Sequence, residues 1–313
     1  VYKRQTVASR LGPAQPDLLV TFGNQVDLTA GDWMESVERD PALRVIACYV
    51  EGFRPGDGRR WLASARRCVE LGRTVILYLA GRTRAGAGAA ASHTASIAGD
   101  WATTCSLATG AGVLVPDDLE TFHDLVRTFA LLSDRVPRGM QLGAMSNAGF
   151  ECVAIADRSE SFRLARFERE TEQRLEAMLR EHRLDGVVDV RNPLDVTPIV
   201  GDRGFAFAAG AILDDPGVDA AVLGCVPLSG ALETLPKGEG HREDVRSDRS
   251  VAAGILRAFE ASDKPCVAIV DAGSDYDAFA ETLASGGLPT FRSADRALRA
   301  LTTFCATKLA APD

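Results

Sequence analysis

The stretch DPALRVIACYV, residues 40–50, is a turn followed by an apolar run, and a related stretch occurs later in the chain. Its counterpart is DPGVDAAVLGCV at 215–226, where an Asp-Pro pair again precedes a run rich in alanine and valine. Strands that are apolar on both faces are typical of parallel sheets covered by helices. These two stretches therefore predict an α/β fold built on parallel strands.

Strand-like runs alternate with stretches of helical periodicity on either side of these stretches. In the first half, the predicted strands are LLVTF, RVIACYV, TVILYL and GVLV, at 18–22, 44–50, 74–79 and 112–115. Helical periodicity lies between and after them at 33–39, 59–71 and 118–132. The segment SDRVPRG predicts a hinge. After this hinge the predicted strands are 140–146, 218–226, 265–273 and 288–293.

Two further pairs of segments extend the internal similarity. NQVDLT at 24–29 matches NPLDVT at 192–197, and GRTVILYLAG at 72–81 matches DKPCVAIVDAG at 263–273. The matches follow the same order in both halves. This order predicts a duplicated α/β unit rather than a short solenoid repeat.

Composition and charge exclude several classes of partner. The chain has 313 residues, 46% of them hydrophobic, and a net charge of −8 without a basic stripe, so we expect neither nucleic-acid nor membrane partners. No apolar run is long enough for a membrane span and no signal peptide opens the chain. Seven widely spaced cysteines, mostly within apolar runs, predict reduced thiols in a cytoplasmic protein and no metal site. The chain starts with VYKRQ rather than Met, and we expect it to be part of a longer protein.

The run AGAGAAASHTASIAGD at 85–100 places His93 among small residues. Within it, GAGAAA fits the pattern G-x-G-x-x-A of dinucleotide-binding loops. The fit is poor because the first glycine of such a loop directly follows a strand, whereas Gly86 lies well beyond the strand that ends at residue 79. A hydride-transfer enzyme is therefore only the third hypothesis. The chain contains neither G-x-x-x-x-G-K-[ST] nor G-x-S-x-G.

Two roles fit a histidine with small neighbours at the start of the helix-like segment 94–108. A neutral imidazole can attack phosphorus when a carboxylate holds its other nitrogen. Helix N-termini then supply N–H donors for the phosphoryl oxygens. A histidine at a helix start can equally make a local hydrogen bond without any chemical role. Residue type alone leaves both roles open for His93.

Three motifs occur in a fixed order: SHTASIAG at 92–99, SNAG at 146–149 and NPLDVT at 192–197. Together with the sequence between them, they resemble the NDP-forming acyl-CoA synthetases, which are the ADP-forming acetate–CoA ligase family of the succinyl-CoA synthetase superfamily. The resemblance implies two tandem flavodoxin-like (succinyl-CoA synthetase-like) parallel-sheet domains. The first, 1–135, would carry a phosphohistidine, and we expect its first strand to lie outside the given sequence. The second ligase domain would be 136–313.

The resemblance also implies a reaction and two catalytic residues. The reaction is acyl-CoA + ADP + phosphate ⇌ carboxylic acid + CoA + ATP, and it passes through an acyl phosphate. His93 matches the histidine that is transiently phosphorylated, and Glu51 matches the carboxylate that orients this histidine. Without the resemblance, an ordinary solvated acid at the end of a strand would be an equally good interpretation of Glu51.

The phosphate-binding turn of the family matches Asn147, Ala148, Gly149 and Phe150. A strand-to-helix turn of this kind presents free N–H groups to phosphate, although a purely structural tight turn would have the same sequence. Phe150 replaces a glycine of the family pattern, which keeps a backbone donor but adds bulk. We interpret Asn192 and Asp195 of the NPLDVT motif as structural turn residues.

The implied substrates require further modules. CoA and ATP or ADP with Mg²⁺ would be bound mainly by a CoA-binding Rossmann domain and an ATP-grasp domain or subunit, and no prosthetic group is implied. We expect a carboxylic acid or its acyl-CoA as substrate and an oligomeric assembly. The alternative hypothesis is a non-catalytic, ligand-sensing regulatory module like those fused to protein acetyltransferases. The presence of both His93 and Glu51 favours catalysis, because a sensor needs neither.

Overall fold

The computed structural model describes residues 2–94, 100–227 and 229–311. Two compact units follow each other along the chain. Unit 1 extends to Ser133, and unit 2 comprises Asp134–Ala310. None of the helices in the described ranges has both the length and the apolar character that a membrane span requires.

Helices and strands alternate in unit 1. Its helices are α1 (Tyr2–Leu11), α2 (Ala30–Glu38), α3 (Asp57–Glu70), α4 (Arg84–Thr94), α5 (Trp101–Gly110) and α6 (Leu119–Leu131). Its strands are β1 (Val45–Val50) and β2 (Thr74–Leu79). The two strands pair in parallel along their whole length. The loops that follow β1 and β2 therefore leave the sheet at the same end, where both strands have their carboxyl ends.

Two of the strand predictions for unit 1 are confirmed as β1 and β2. The predicted strand 112–115 is reduced to a single parallel bridge between Leu114 and Ile76. The N–H of Leu114 donates to the carbonyl oxygen of Val75 at 2.9 Å, and the N–H of Leu77 donates to that of Leu114 at 2.8 Å. The segment thus lies beside β2 without extending the ladder.

The predicted strand 18–22 is wrong. These residues have no strand partner in the part of the chain that the structure describes. Leu18 is 53% exposed, so the run is not packed as a core strand. An apolar run becomes a strand only where a neighbouring strand accepts and donates its backbone hydrogen bonds.

The apolar core of unit 1 lies where α2 and α3 pack on the sheet. The spacing of apolar residues in α3 places Trp61, Ala65 and Cys68 on one buried face. Met34 of α2 and Leu77 of β2 belong to the same core cluster. This packing holds the carboxyl ends of β1 and β2 in place.

Unit 2 contains a larger sheet. Its strands are β3 (Gln141–Ser146), β4 (Arg163–Leu164), β5 (Leu194–Asp195), β6 (Ala220–Cys225), β7 (Cys266–Val270) and β8 (Thr290–Phe291). Its helices are α7 (Gly149–Arg158), α8 (Arg169–Glu181), α9 (Asp202–Asp214), α10 (Val251–Ala261), α11 (Asp277–Ser285) and α12 (Ala294–Ala310), with a 3₁₀ turn at Ser274–Tyr276. The four strand predictions for this half are confirmed as β3, β6, β7 and β8.

The strand order of unit 2 is β4–β3–β6–β7–β8, with β5 also paired to β3, and all pairs are parallel. The first strand, β3, therefore lies inside the sheet. The strand order reverses beside it, between β3 and β6. In α/β sheets of this kind, ligands bind at the carboxyl ends of the strands that flank such a switch point.

The core of unit 2 is closely packed around this sheet. Phe205, Phe279 and Phe304 are fully buried. Gly143 of β3 permits close packing of α9, because a Cβ at this position would lie 2.6 Å from Cγ2 of Ile212. The sheet is thus a rigid support for the turn that follows β3.

Candidate functional site

Glu51 directly follows β1, at the carboxyl end of the sheet in unit 1. The residue is half-buried, and its Oε2 is buried without a hydrogen-bond partner among the residues that the structure describes. A buried carboxylate oxygen without a donor is costly. The position therefore implies that a further donor, from a side chain or a ligand, satisfies this oxygen.

Glu51 lines a cavity of about 540 Å³ in unit 1. This volume lies within the range of small-molecule sites, roughly 300–1,000 Å³. Its walls combine Glu51 with apolar side chains and two arginines, including Trp61, Leu79, Trp101, Leu107, Arg54 and Arg59. The lining is largely apolar, so the negative charge of Glu51 interacts more strongly with a nearby positive group than it would in water.

Two helices border this cavity next to Glu51. Trp101, the first residue of α5, donates from Nε1 to the carbonyl oxygen of Leu79 at 2.8 Å, which ties α5 to the end of β2. The first turn of α4 is held by Thr83, whose Oγ1 accepts from the N–H of Gly86 at 3.0 Å. Ala87 of α4 lines the cavity. The beginning of α4 and Glu51 therefore line the same cavity.

His93 is the penultimate residue of α4, less than two helical turns beyond Ala87. The prediction that it lies at the start of a helix is wrong. Five alanines between residues 85 and 91 favour a helix that forms before the histidine. The side chain of His93 lies outside the described part of the structure, so its pairing with Glu51 stays a prediction.

The position of α4 also explains the poor dinucleotide fit. Gly86, Gly88 and Ala91 of the G-x-G-x-x-A run lie inside the helix. A dinucleotide loop requires its first glycine in the turn between the strand and the helix. The run does not form such a loop, and the hydride-transfer hypothesis loses its only motif.

In unit 2, Asn147 lies at the carboxyl end of β3, next to the end of β6. Its side chain is buried; Nδ2 donates to the carbonyl oxygen of Val226 at 2.9 Å, and Oδ1 accepts from the N–H of Val226 at 2.8 Å. Both polar atoms of the Asn147 side chain thus bond to the residue that follows β6, which links the carboxyl ends of β3 and β6 at the switch point. A phosphate-binding role for Asn147 is therefore limited to its backbone.

We expect the substitution Asn147→Ala to lower the free energy of unfolding by about 2 kcal/mol, because the half-buried peptide groups of Val226 lose both partners. Urea unfolding followed by circular dichroism measures this loss. The matched control is Asn24→Ala, at an exposed asparagine, which should stay within about 0.5 kcal/mol of the parent. Equal stability of the two variants would contradict the bridging role.

The turn after Asn147 leaves two backbone donors free. Ala148 is the N-cap residue of α7, and its N–H donates to Oγ of Ser146 at 3.2 Å. Gly149 and Phe150 are the first two residues of the helix, both exposed, and their N–H groups make no hydrogen bond within the described part of the chain. Two donors at the positive end of a helix suit an anion.

Two acidic side chains lie at the same helix start. Oδ2 of Asp195 lies 3.0 Å from the place where Gly149 would carry a Cβ, and Oδ1 accepts from the N–H of Thr197 at 2.8 Å, as its interpretation as a turn residue predicts. Glu151 is 1% exposed and accepts from Oγ of Ser146 at 2.5 Å. The sequence interpretation missed Glu151 because acidic residues are common in the first turn of helices.

The structural interpretation of Asn192 is confirmed. Its Oδ1 accepts from the N–H of Ala144 at 3.0 Å. Its Nδ2 donates to the carbonyl oxygens of Leu142 and Ala165 at 2.6 and 2.8 Å. Asn192 therefore stabilises the backbone of β3, and both of its polar side-chain atoms take part in hydrogen bonds within the fold.

Neither metal ligation nor thiol chemistry has support in the described ranges. Within them, no three His, Cys, Asp or Glu side chains cluster as metal ligands would. The seven cysteines form no disulfide. Burial raises the pKa of Cys152 and of Cys266 to about 12, so these thiols stay protonated near neutral pH.

Residues 7–129 match the family model of the succinyl-CoA ligase like flavodoxin domain. This range contains β1, β2, Glu51 and α4 with His93. The match agrees with the parallel α/β architecture of unit 1, and the prediction of a flavodoxin-like fold is confirmed.

Two curated relatives and one solved structure match most of the chain. The α subunit of ADP-forming acetate–CoA ligase II from Pyrococcus furiosus is 30% identical over 276 residues, which are 87% of this chain and 55% of the relative. The α subunit of ligase I from the same organism is 27% identical over 286 residues, or 90% and 56% of the two chains. A structure of the dinucleotide forming acetyl-coenzyme A synthetase 1 of Ca. Korarchaeum cryptofilum, in complex with phosphate and ADP, is 26% identical with a TM-score of 0.74. The match covers 93% of this chain and 59% of the chain in that solved structure.

The chain spans about half the length of the curated relatives it matches. These relatives are acid–thiol ligases, which favours the ligase hypothesis over the regulatory module. Similarity to them extends over both units, as does the likeness to the solved structure. The chain is therefore similar over most of its length to ADP-forming acetate–CoA ligases, and residues 7–129 match the succinyl-CoA ligase like flavodoxin domain.

Proposed function

We propose that this chain is the phosphohistidine-carrying part of an NDP-forming acyl-CoA synthetase. The full protein would catalyse acyl-CoA + ADP + phosphate ⇌ carboxylic acid + CoA + ATP, through an acyl phosphate and phospho-His93. The observation that carries the proposal is the buried Oε2 of Glu51, unpaired among the described residues, on a cavity that the beginning of the His93-containing helix also lines. An imidazole N–H is the donor that this oxygen lacks.

The proposed chemistry at His93 is nucleophilic catalysis. One imidazole nitrogen attacks the phosphorus of the acyl phosphate, the bond between phosphorus and the acyl oxygen breaks, and the carboxylate leaves. The other nitrogen keeps its hydrogen and donates a hydrogen bond to Glu51, which fixes the tautomer and stabilises the positive charge that develops on the ring. The nitrogen–phosphorus bond then breaks as a terminal oxygen of ADP takes the phosphoryl group. The residue returns to neutral imidazole, so the cycle is complete.

The proposed phosphate site of unit 2 is the start of α7. Of the four residues predicted there, Gly149 and Phe150 would supply N–H donors, while Asn147 and Ala148 shape the turn. The ring of Phe150 is 61% exposed, so the bulk that replaces the family glycine is not packed into the fold. Position at the switch point of the sheet supports this assignment.

Further modules complete the proposed enzyme. CoA and ATP or ADP with Mg²⁺ would bind mainly to a CoA-binding Rossmann domain and an ATP-grasp domain, in the same polypeptide or a partner chain. The described residues include no metal-ligand cluster, so no step assigned to this chain passes through Mg²⁺. We also propose the division into domains 1–135 and 136–313, an oligomeric assembly and a cytoplasmic location, to which the free cysteines are suited.

The products of the reaction test the proposed function. The full-length protein, supplied with acetate, CoA and MgATP, should form acetyl-CoA together with ADP and phosphate. Chromatography of the nucleotides and a phosphate assay measure these products. Other short carboxylic acids, tested in the same way, define the substrate range. Formation of AMP and pyrophosphate with every acid that is activated would overturn the proposal.

A further inference from the structure

Glu151 is a buried acid within the first turn of α7, the helix whose start carries the free N–H groups of Gly149 and Phe150. Its side chain is 1% exposed, and Oε1 has no hydrogen-bond partner among the described residues. Oε2 accepts from Oγ of Ser146, which itself accepts from the N–H of Ala148. The carboxyl group is thus connected to the N-cap of the helix, and the proposed reaction does not account for it.

The neighbouring strand β6 leaves room for this carboxyl group. Gly224 of β6 lies against it, and a Cβ on Gly224 would overlap with Oε2 of Glu151. The same Cβ would lie 3.2 Å from Cβ of Ser146. A glycine inside a central strand weakens the strand unless something must approach closely. Here the group that approaches is Glu151.

In the described part of the chain, the titratable groups found around Glu151 are acids and thiols, without a balancing cation. The titratable side chains around it are Cys225 on β6, Asp271 after β7 and Cys152 on α7 itself, and Asp195 on β5 lies beside Gly149 at the same helix start. The helix α12 also packs against α7, but its Asp295 pairs with Arg158 at the opposite end of α7, at 2.5 Å. An ionised Glu151 would therefore add negative charge to a helix start that is already acidic.

Burial raises the pKa of the Glu151 carboxyl to about 7, and the charge of Asp271 acts in the same direction, against the hydrogen bond from Ser146. A carboxyl with this pKa changes its charge in the neutral range. An ionised carboxylate would repel a phosphoryl group at the nearby donors of Gly149 and Phe150. A protonated one removes this repulsion.

We propose that Glu151 is a positioning residue that takes up one proton from solvent when a phosphoryl group docks on the N–H groups of Gly149 and Phe150. The proton neutralises Glu151, and a protonated Oε1 becomes a donor instead of an acceptor. No bond to phosphorus changes in this step, and the proton returns to solvent when the phosphoryl group leaves. The inference rests on the proposed phosphate site of unit 2.

Selective labelling makes the site visible in the chain as it stands. Only three phenylalanines directly follow a glycine, namely Phe53, Phe150 and Phe205. Glycine labelled with ¹³C at the carbonyl and phenylalanine labelled with ¹⁵N therefore give three amide signals, and Phe150→Leu identifies the one of interest. The probes are sodium sulfate, which stays a dianion in the neutral range, and then inorganic phosphate.

The Phe150 amide signal should shift on addition of sulfate, and the affinity should fall about fourfold between about pH 6 and about pH 7.5, as linkage to a carboxyl with pKa about 7 requires. In Glu151→Gln the affinity should be independent of pH and should equal the parent's affinity at the lower pH. The matched control Glu160→Gln, at an exposed acid of unit 2, should keep the fourfold change. Ser146→Ala, which loses a donor to the ionised form, should move the midpoint of the change to higher pH.

The outcomes separate this inference from the site on which it rests. If the Phe150 amide responds to sulfate with the same pH dependence in the parent and in Glu151→Gln, proton coupling is overturned and the phosphate site stands. If it responds to neither sulfate nor phosphate, the proposed site of unit 2 fails, and the coupling fails with it. If Glu151→Gln does not fold, Ser146→Ala decides, and an unchanged midpoint overturns the coupling.

Discussion

Replacing His93 with alanine should reduce the acyl-CoA synthetase activity of the full-length protein by roughly 10⁶-fold, the scale of loss that follows removal of a covalent nucleophile. The physical reason is that the variant loses the nucleophile that the proposed reaction requires, and the lining of the cavity beside Glu51 includes no other histidine among the described residues. The measurement is the initial rate of ADP release with acetate and CoA.

The matched control for this variant is His241→Ala, at an exposed histidine of unit 2. It should keep the parent rate. Both variants should have the parent's circular dichroism spectrum and unfolding midpoint, which shows that a loss of activity is not a loss of folded protein. Substantial residual activity in His93→Ala would remove the histidine from the reaction path.

Replacing Glu51 with glutamine should slow phosphorylation of the histidine by about 10²- to 10⁴-fold. Glutamine keeps the size of the side chain but loses the negative charge that fixes the imidazole tautomer and stabilises the ring when it becomes cationic. The effect should lie in kcat, with the KM for acyl-CoA unchanged, because Glu51 acts on the histidine and not on the bound substrate. Rapid-quench measurement of phosphoenzyme formation gives the rate directly.

Stability and a control distinguish this role from a structural one. Because Oε2 of Glu51 has no partner among the described residues, Glu51→Gln should not lower the free energy of unfolding. The control Glu70→Gln changes an exposed acid of α3 that pairs with Arg66, and it should leave the phosphorylation rate unchanged. A rate loss in Glu51→Gln matched by an equal loss of folded protein would mean that Glu51 supports the fold only.

The strands were predictable where apolar patterning and pairing agree. β1, β2, β3, β6 and β7 are short, largely apolar runs, and each has a parallel neighbour. The run at 18–22 has the same composition but no partner strand in the described residues, and composition cannot report whether a partner exists. The same limit explains why 112–115 forms only one bridge.

The sequence proposes residues for the candidate site but does not predict their geometry. His93 and Glu51 were identified through motifs, yet the placement of His93 at a helix start failed because alanine propensity extends α4 up to the histidine. Asn147 was predicted at the right turn, although its side chain serves Val226. Glu151 became visible only when the fold placed Gly224 and Ser146 against it, since its burial depends on strands distant in sequence.

Mapping the phosphoryl group on the full-length protein tests the central proposal most directly. After incubation with MgATP and quenching at alkaline pH, where phosphohistidine survives, digestion and tandem mass spectrometry locate the modified residue. The account predicts one phosphoryl group on His93, lost on brief acid treatment and on addition of ADP, and absent from His93→Ala. A phosphoryl group on another residue, or turnover by a protein that never carries one on His93, would contradict it.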